Sequence, residues 1–155
     1  MVVGEAPGSY EVEQGKPFVG KSGKLLRSTL KEFGFTKDNS IISNTIPCRP
    51  QDNKFPKDRN VVNSCIQKWL KLEIDILKPK YILLIGSTPT FYLLHSYDGI
   101  TKMRGKWYTY NNIPCMPTLH PSYVLRKQYM MGGGEINKHF RGDIESVAKS
   151  AGFLK

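Results

Sequence analysis

Apolar and polar positions along the chain follow two rhythms, one of short unbroken apolar runs and one of apolar residues three to four apart. Residues 1–3 are an unbroken run that stops at Gly4-Glu5-Ala6-Pro7-Gly8, as a buried strand ending in a tight loop would. A polar, glycine-punctuated stretch to Gly20 is expected to be loop. Leu25, Leu26, Leu30 and Phe33 then recur at helical spacing over residues 22–33, with Gly34 as the stop. Residues 40–44 predict a short strand ending at Asn44, and the proline-rich stretch 47–56 a loop carrying Cys48, Arg49, Asp52 and Asn53. A long helix is expected over 58–77, burying Val61, Val62, Cys65, Ile66, Trp69, Leu70 and Ile74 and ended by Pro79. Residues 81–85 are nearly all apolar, the pattern of a strand covered on both faces, and Ser87 is placed to cap a helix carrying Phe91, Leu93 and Leu94. Asn111-Asn112, a pair that tolerates positive φ, predicts a tight hairpin between 106–110 and 113–116. A glycine-rich bend at 130–134 leads to a closing helix over 137–150 with Phe140, Ile144, Val147 and Ala148 inward. The alternation of strand and helix predicts an α/β fold, a three-layer α/β/α sandwich around a central, mostly parallel sheet.

Length and charge narrow this picture. The 155 residues suffice for one domain with a sizeable core, 1–155, and not for two. Lys and Arg number 23 against 13 Asp and Glu, and the resulting net charge of +10 is spread along the chain, which favours a polyanionic partner, nucleic acid first among them. No stretch approaches the roughly 20 apolar residues of a membrane helix, and the N-terminus lacks a basic region followed by a hydrophobic signal core. The expected location is intracellular, cytoplasmic or nucleoid-associated, with no membrane partner. The 3 cysteines, Cys48, Cys65 and Cys115, are an odd count that reads as free thiols in a reducing compartment. The chain opens inside what reads as a core strand, so it is expected to be a fragment or a domain of something longer.

Candidate chemistry begins at Glu5, a carboxylate at the carboxyl edge of the predicted sheet, where open α/β sheets bind ligands. A second string, Gly15-Lys16-Pro17-Phe18-Val19-Gly20-Lys21-Ser22, matches the phosphate-loop pattern at every fixed position. The residues before it, 9–14, are too polar for a core strand, and the strong buried strand 81–85 ends in Gly86-Ser87 instead of a magnesium-binding Asp. Nucleotide hydrolysis is therefore rejected. Lys21 and Ser22 instead begin a helix whose amides either meet a phosphate or are simply capped.

Taken in order, Gly4-Glu5-Ala6-Pro7-Gly8, the string from Gly15 through Lys21-Ser22-Gly23-Lys24-Leu25-Leu26, Asn44 before Cys48-Arg49-Pro50, and His120-Pro121-Ser122 resemble the uracil-DNA glycosylase superfamily, above all its family 4, the iron–sulfur type. The resemblance covers nearly the whole chain. It implies a monofunctional DNA glycosylase that hydrolyses the N-glycosidic bond of uracil in DNA after base flipping, in base excision repair, with uracil-containing DNA as partner. No obligate protein partner is inferred, and a monomer is expected. Glu5 would stabilise the cation-like sugar and orient the attacking water, and His120 would hydrogen-bond uracil O2 as charge develops on the leaving base. Gly4 and Ala6 would flank Glu5 in the base pocket, Phe18 would stack on the base, and the Asn44 amide would read the uracil edge. Ser122 and Arg126 would contact the DNA backbone, as would Lys21 and Ser22, while Val124 or Leu125 fills the hole left by the flipped nucleotide.

The same resemblance implies a four-cysteine cluster. Cys48 and Cys65 match its later pair, the earlier pair has no counterpart, and Cys115 lies at no family ligand position. The expected cofactor is accordingly none, a 4Fe-4S cluster requiring two further cysteines from upstream residues. Two other readings remain open: a catalytically inactive DNA-binding domain of the same fold within a larger replication or repair protein, and a glycosylase for a different altered base.

Overall fold

Neighbouring residues of a strand point to opposite faces of its sheet, so two consecutive apolar residues serve two cores. The computed structural model describes residues 1–154. Its elements are β1 (Val2–Gly4), α1 (Ser9–Gln14), α2 (Lys21–Glu32), β2 (Ile42–Asn44), α3 (Arg59–Cys65), α4 (Lys71–Leu77), β3 (Ile82–Ile85), α5 (Ser87–Leu94), α6 (Ile100–Met103), β4 (Tyr108–Tyr110), β5 (Ile113–Thr118), α7 (Pro121–Lys127) and α8 (Gly133–Ser150). Val2 and Leu83 point into a core shared with Leu26, Leu30, Phe140 and Ile144 from α2 and α8, whereas Val3 and Leu84 point into one shared with Val62, Ile66, Leu70 and Ile74. Two cores back to back make the three layers the sequence predicts. No helix among the described residues is long and apolar enough to cross a membrane.

The sheet has five strands in the order β2-β1-β3-β5-β4, parallel except for the β4–β5 hairpin, whose turn residues Asn111 and Asn112 both take positive φ (47° and 64°). Register decides where the loops emerge. Gly4 pairs with Asn44 and Ile85 with Thr118, so the chain leaves β1, β2, β3 and β5 along one edge of the sheet. That edge carries Glu5, Asn44, Gly86 and His120.

The structure departs from the sequence expectations at several points. The stretch expected to be loop before Gly20 contains α1, a helix with no buried residue that is closed by Gly15 in the left-handed conformation (φ 62°). Such a helix has no apolar stripe for periodicity to detect. Gly86 (φ 90°), not Ser87, occupies the cap of α5. In the long helix, Val61 and Trp69 are 50% and 56% exposed, outside the face expected to bury them. The reason is a π-helical turn, Ile66–Leu70, between α3 and α4, in which Lys71 N–H reaches back to Ile66 C=O. The core residues Val62, Ile66, Leu70 and Ile74 are spaced by four, and in a pure α-helix each such step would overshoot a full turn by about 40°. The wider π turn takes up that drift and keeps all four on one stripe, which leaves 61, 65 and 69 on the rim.

Candidate active site

The loops leaving the sheet edge enclose a cavity of about 1140 Å³. Glu5, Ala6, Phe18, Lys21, Ser22, Asn44, His120, Ser122, Leu125 and Arg126 all line it, so the predicted residues converge although they come from strings far apart in the chain. Gly4 lies beneath the lining. A Cβ there would sit 2.5 Å from Phe18 Cζ and 2.7 Å from Asn44 Oδ1, so the absence of a side chain is what lets the aromatic ring and the amide approach each other. Val124 departs from its expected place as a wedge. It is 1% exposed and packs in the core with Phe140 and Ile144, because its position on α7 faces α2 and α8, and only Leu125 of the pair faces the cavity.

Glu5 is fixed at both ends. Its backbone carbonyl accepts from Ile46 N–H at 3.2 Å, and its carboxylate Oε2 accepts from the hydroxyl of Thr88 in the first turn of α5. His120 caps α7. The Ser122 backbone N–H donates to His120 Nδ1 at 3.2 Å, and the Ser122 hydroxyl lies 2.7 Å from the same nitrogen. A backbone N–H can only donate, so Nδ1 is the acceptor and the neutral ring carries its proton on Nε2. Burial lowers the His120 pKa; Glu5 opposes this and Arg126 reinforces it, with the net shift downward. The geometry thus sets a neutral imidazole with one N–H donor beside a carboxylate. Ser122, expected at a phosphate, has its hydroxyl engaged by this ring.

Phe18 sits in the left-handed region (φ 53°), uncommon for a bulky residue and costing about 1–2 kcal/mol. Three features hold it there. Arg27 donates from Nε to the carbonyls of Phe18 at 2.9 Å and Pro17 at 3.2 Å. Gly23 lets the helix touch the turn, since a Cβ there would fall 2.1 Å from the Phe18 carbonyl carbon. Glu11 accepts from Val19 N–H at 2.9 Å and Gly20 N–H at 3.1 Å with one oxygen and from Gly8 N–H at 3.1 Å with the other. Burial would raise the Glu11 pKa, but these amide donors outweigh it and hold the carboxyl below its usual range. The Phe18 ring lies 6.4 Å from the His120 ring, inclined by 37°.

Asn44 is held beside Gly4 by the β1–β2 register, and its Oδ1 is buried in this lining without a hydrogen-bond partner. An unmade bond to a buried acceptor costs about 1–3 kcal/mol. Glu11, Arg27 and Thr88 were not singled out from the sequence. The Gly8-to-Glu11 spacing of a helix cap was the available signal for the first, and no local pattern marks the other two.

The donor set does not suit the implied iron–sulfur cluster. Cys48 is exposed, Cys65 is half-buried at the end of α3, and Cys115 is buried on β5, where desolvation pushes its thiol up to about 11. No group of three or more His, Cys, Asp or Glu among the described residues is arranged to hold a metal. These residues do not complete a four-thiolate site.

The model of the uracil DNA glycosylase superfamily matches residues 1–143. The type-4 uracil-DNA glycosylase of Sulfurisphaera tokodaii is 39% identical over 134 residues, covering 81% of this chain and 60% of that protein. The type-4 uracil-DNA glycosylase of Thermotoga maritima is 33% identical over 159 residues, covering 100% of this chain and 77% of that protein. A DNA polymerase of Bacillus phage SP01 is 31% identical over 128 residues, which is 82% of this chain but 14% of the polymerase. The chain spans about 60% of the length of the Sulfurisphaera protein. The family match runs from the carboxylate loop through the histidine loop and into the last helix, and the chain belongs to the uracil DNA glycosylase superfamily.

Proposed function

We propose that this chain, acting as one domain, takes uracil out of the DNA stack and hydrolyses its N-glycosidic bond, a reaction of base excision repair. The observation that carries the reading is the buried, unpartnered Asn44 Oδ1 in the cavity that also contains Glu5, Phe18 and His120. Uracil offers an N3–H donor and an O4 acceptor on one edge. An asparagine amide complements both, with Oδ1 accepting and the NH₂ donating. Cytosine presents the reverse pattern and leaves two buried groups unpaired, which is how a polar pocket rejects a near isostere. Phe18 supplies the stacking face.

As the bond from C1′ to N1 breaks, its electron pair moves onto the base, and the His120 Nε2–H donates to O2 where that charge gathers. The sugar becomes cation-like. Glu5, held by Thr88, stabilises it and orients a water whose oxygen attacks C1′ while its proton passes toward the carboxylate. Free uracil and an abasic site result. Lys21, Ser22 and Arg126 are assigned to the DNA backbone, and Leu125 to the space left by the flipped nucleotide. The names of the two type-4 relatives support this reading.

A labelled uracil-containing oligonucleotide, incubated with the protein and then treated with alkali, should be cut at the uracil. Intact oligonucleotide from both single- and double-stranded substrates, with folded protein, would overturn the proposal. A second reading, a DNA-binding domain inside a larger protein, is favoured by the match to a segment of the phage polymerase. Binding without cleavage would support it.

A further inference from the structure

A second cleft of about 370 Å³, with Thr88 in its lining, opens between the start of α5 and the loop that follows it. Thr88, Phe91, Tyr92 and Tyr97 are among its lining residues, so it shares a wall with the residue that holds the carboxylate. The Phe91 and Tyr97 rings meet edge to face at 5.3 Å. The Arg59 guanidinium lies against both, 5.1 Å from the Phe91 ring centre and 5.7 Å from that of Tyr97, and it donates to the Tyr97 hydroxyl at 3.1 Å. Tyr97 is nevertheless 78% exposed. Its ring is anchored by its hydroxyl and by a cation while most of its surface remains open to solvent. Arg59 is the cation placed at these rings, and Asp98 is the charged residue among those lining the cleft.

We propose that Tyr97, steadied by Arg59 and Phe91, is a second nucleotide subsite on which a base flanking the target stacks. The inference rests on the glycosylase reading above for its geometry relative to the flipped base. Aromatic rings stack successive bases of single-stranded nucleic acid, an adjacent Arg adds to that attraction, and a pre-anchored ring loses little freedom when a base lands on it. In a duplex the neighbour of the target is held in place by pairing with the opposite strand, whereas an unpaired neighbour is free to swing onto the ring. The subsite is therefore available to an unpaired neighbour, and the substrate class it selects is uracil in single-stranded or locally unpaired DNA.

The test compares Tyr97→Ala and Tyr97→Trp with the parent on a long single-stranded uracil oligonucleotide, on two versions truncated on the 5′ or the 3′ side of the uracil, and on the duplex. Tyr97→Ala should raise KM about tenfold on the long single strand with kcat unchanged, and Tyr97→Trp should restore it. The difference between Tyr97→Ala and parent should vanish for one of the truncated substrates and shrink on the duplex. An equal effect on every substrate would make Tyr97 merely structural and overturn the proposal, as would no effect on any. Anisotropy binding of a uracil-free single strand separates this outcome from the glycosylase reading. Weakened binding by Tyr97→Ala upholds the subsite even where no cleavage is seen, and unchanged binding overturns it even where cleavage is intact.

Discussion

The proposed mechanism makes two demands on His120: it must stay neutral near pH 7, and it must keep its proton on Nε2, the nitrogen assigned to the leaving base. Burial meets the first and the Ser122 amide the second. His120→Ala should lower kcat by about 10²–10³-fold, the cost of one preorganised donor, while DNA affinity measured by anisotropy changes little; equal loss of both would make the residue structural. The pH dependence follows from the sign of the shift. The folded pKa lies below the unfolded value of about 6.5, so the unfolded state binds more protons in between. This histidine's contribution to stability is thus whole above the unfolded pKa and is lost as pH falls through the folded one, and the melting temperature should fall on acidification less steeply in His120→Gln than in the parent. Thr88 acts one step back, through Glu5. Thr88→Val should reduce kcat with KM nearly unchanged, and Thr88→Ser should recover most of the loss; a KM effect instead would assign Thr88 to binding. Glu5 and His120 were legible because each sits inside a local string with its own turn chemistry. Thr88 was not, because its partner is 83 residues away and only the sheet register brings them together.

Among the elements, α1 shows how a helix with nothing buried serves a site. Its Glu11 joins the Gly8 turn before it to the Phe18 turn after it through three backbone amides. Glu11→Ala should cost about 1 kcal/mol of stability, the scale of a lost helix cap, and should weaken uracil-dependent activity through a less ordered Phe18. Urea titration and steady-state kinetics would measure the two. Because the folded carboxyl pKa is depressed, the stabilisation by Glu11 is present above its unfolded pKa and disappears as pH falls through its folded one. Hydrophobic periodicity revealed α2 and α8, where side chains alone dictate the pattern, and the Asn111-Asn112 turn pair revealed the hairpin. It was blind to α1, which has no stripe, and it misjudged Val61 and Trp69, because a π turn changes the period partway along.

Across the whole molecule, one buried group ties α8 to β5 and to the end of α6. Asp143 of α8 is 2% exposed and takes bonds from Arg104, at the end of α6, and from the hydroxyl of Thr118 at 2.7 Å, two residues before His120. Gly105 (φ 70°) has no room for a side chain there, since a Cβ would lie 2.7 Å from Asp143 Oδ1. Arg104→Met leaves the carboxylate buried and unpaired, and should lower unfolding free energy by about 3–5 kcal/mol, read from the urea midpoint. A loss below about 1 kcal/mol would mean that water reaches Asp143 freely. The strand and helix alternation was readable in the chain, and with it the layered class. The strand order was not, since nothing local tells a helix which edge of the sheet it must cross to.

Under the proposed function, Asn44 would bear on how the reaction ends as well as on how the base is selected. A pocket whose carbonyl oxygen has no partner when empty is more comfortable filled, and released uracil fills it as well as the uracil of DNA did. By mass action a ligand that binds only the folded protein raises its melting temperature. Millimolar free uracil should therefore raise the melting temperature where cytosine does not, and should slow turnover as a competing product. Asn44→Ala should abolish both the thermal shift and the inhibition.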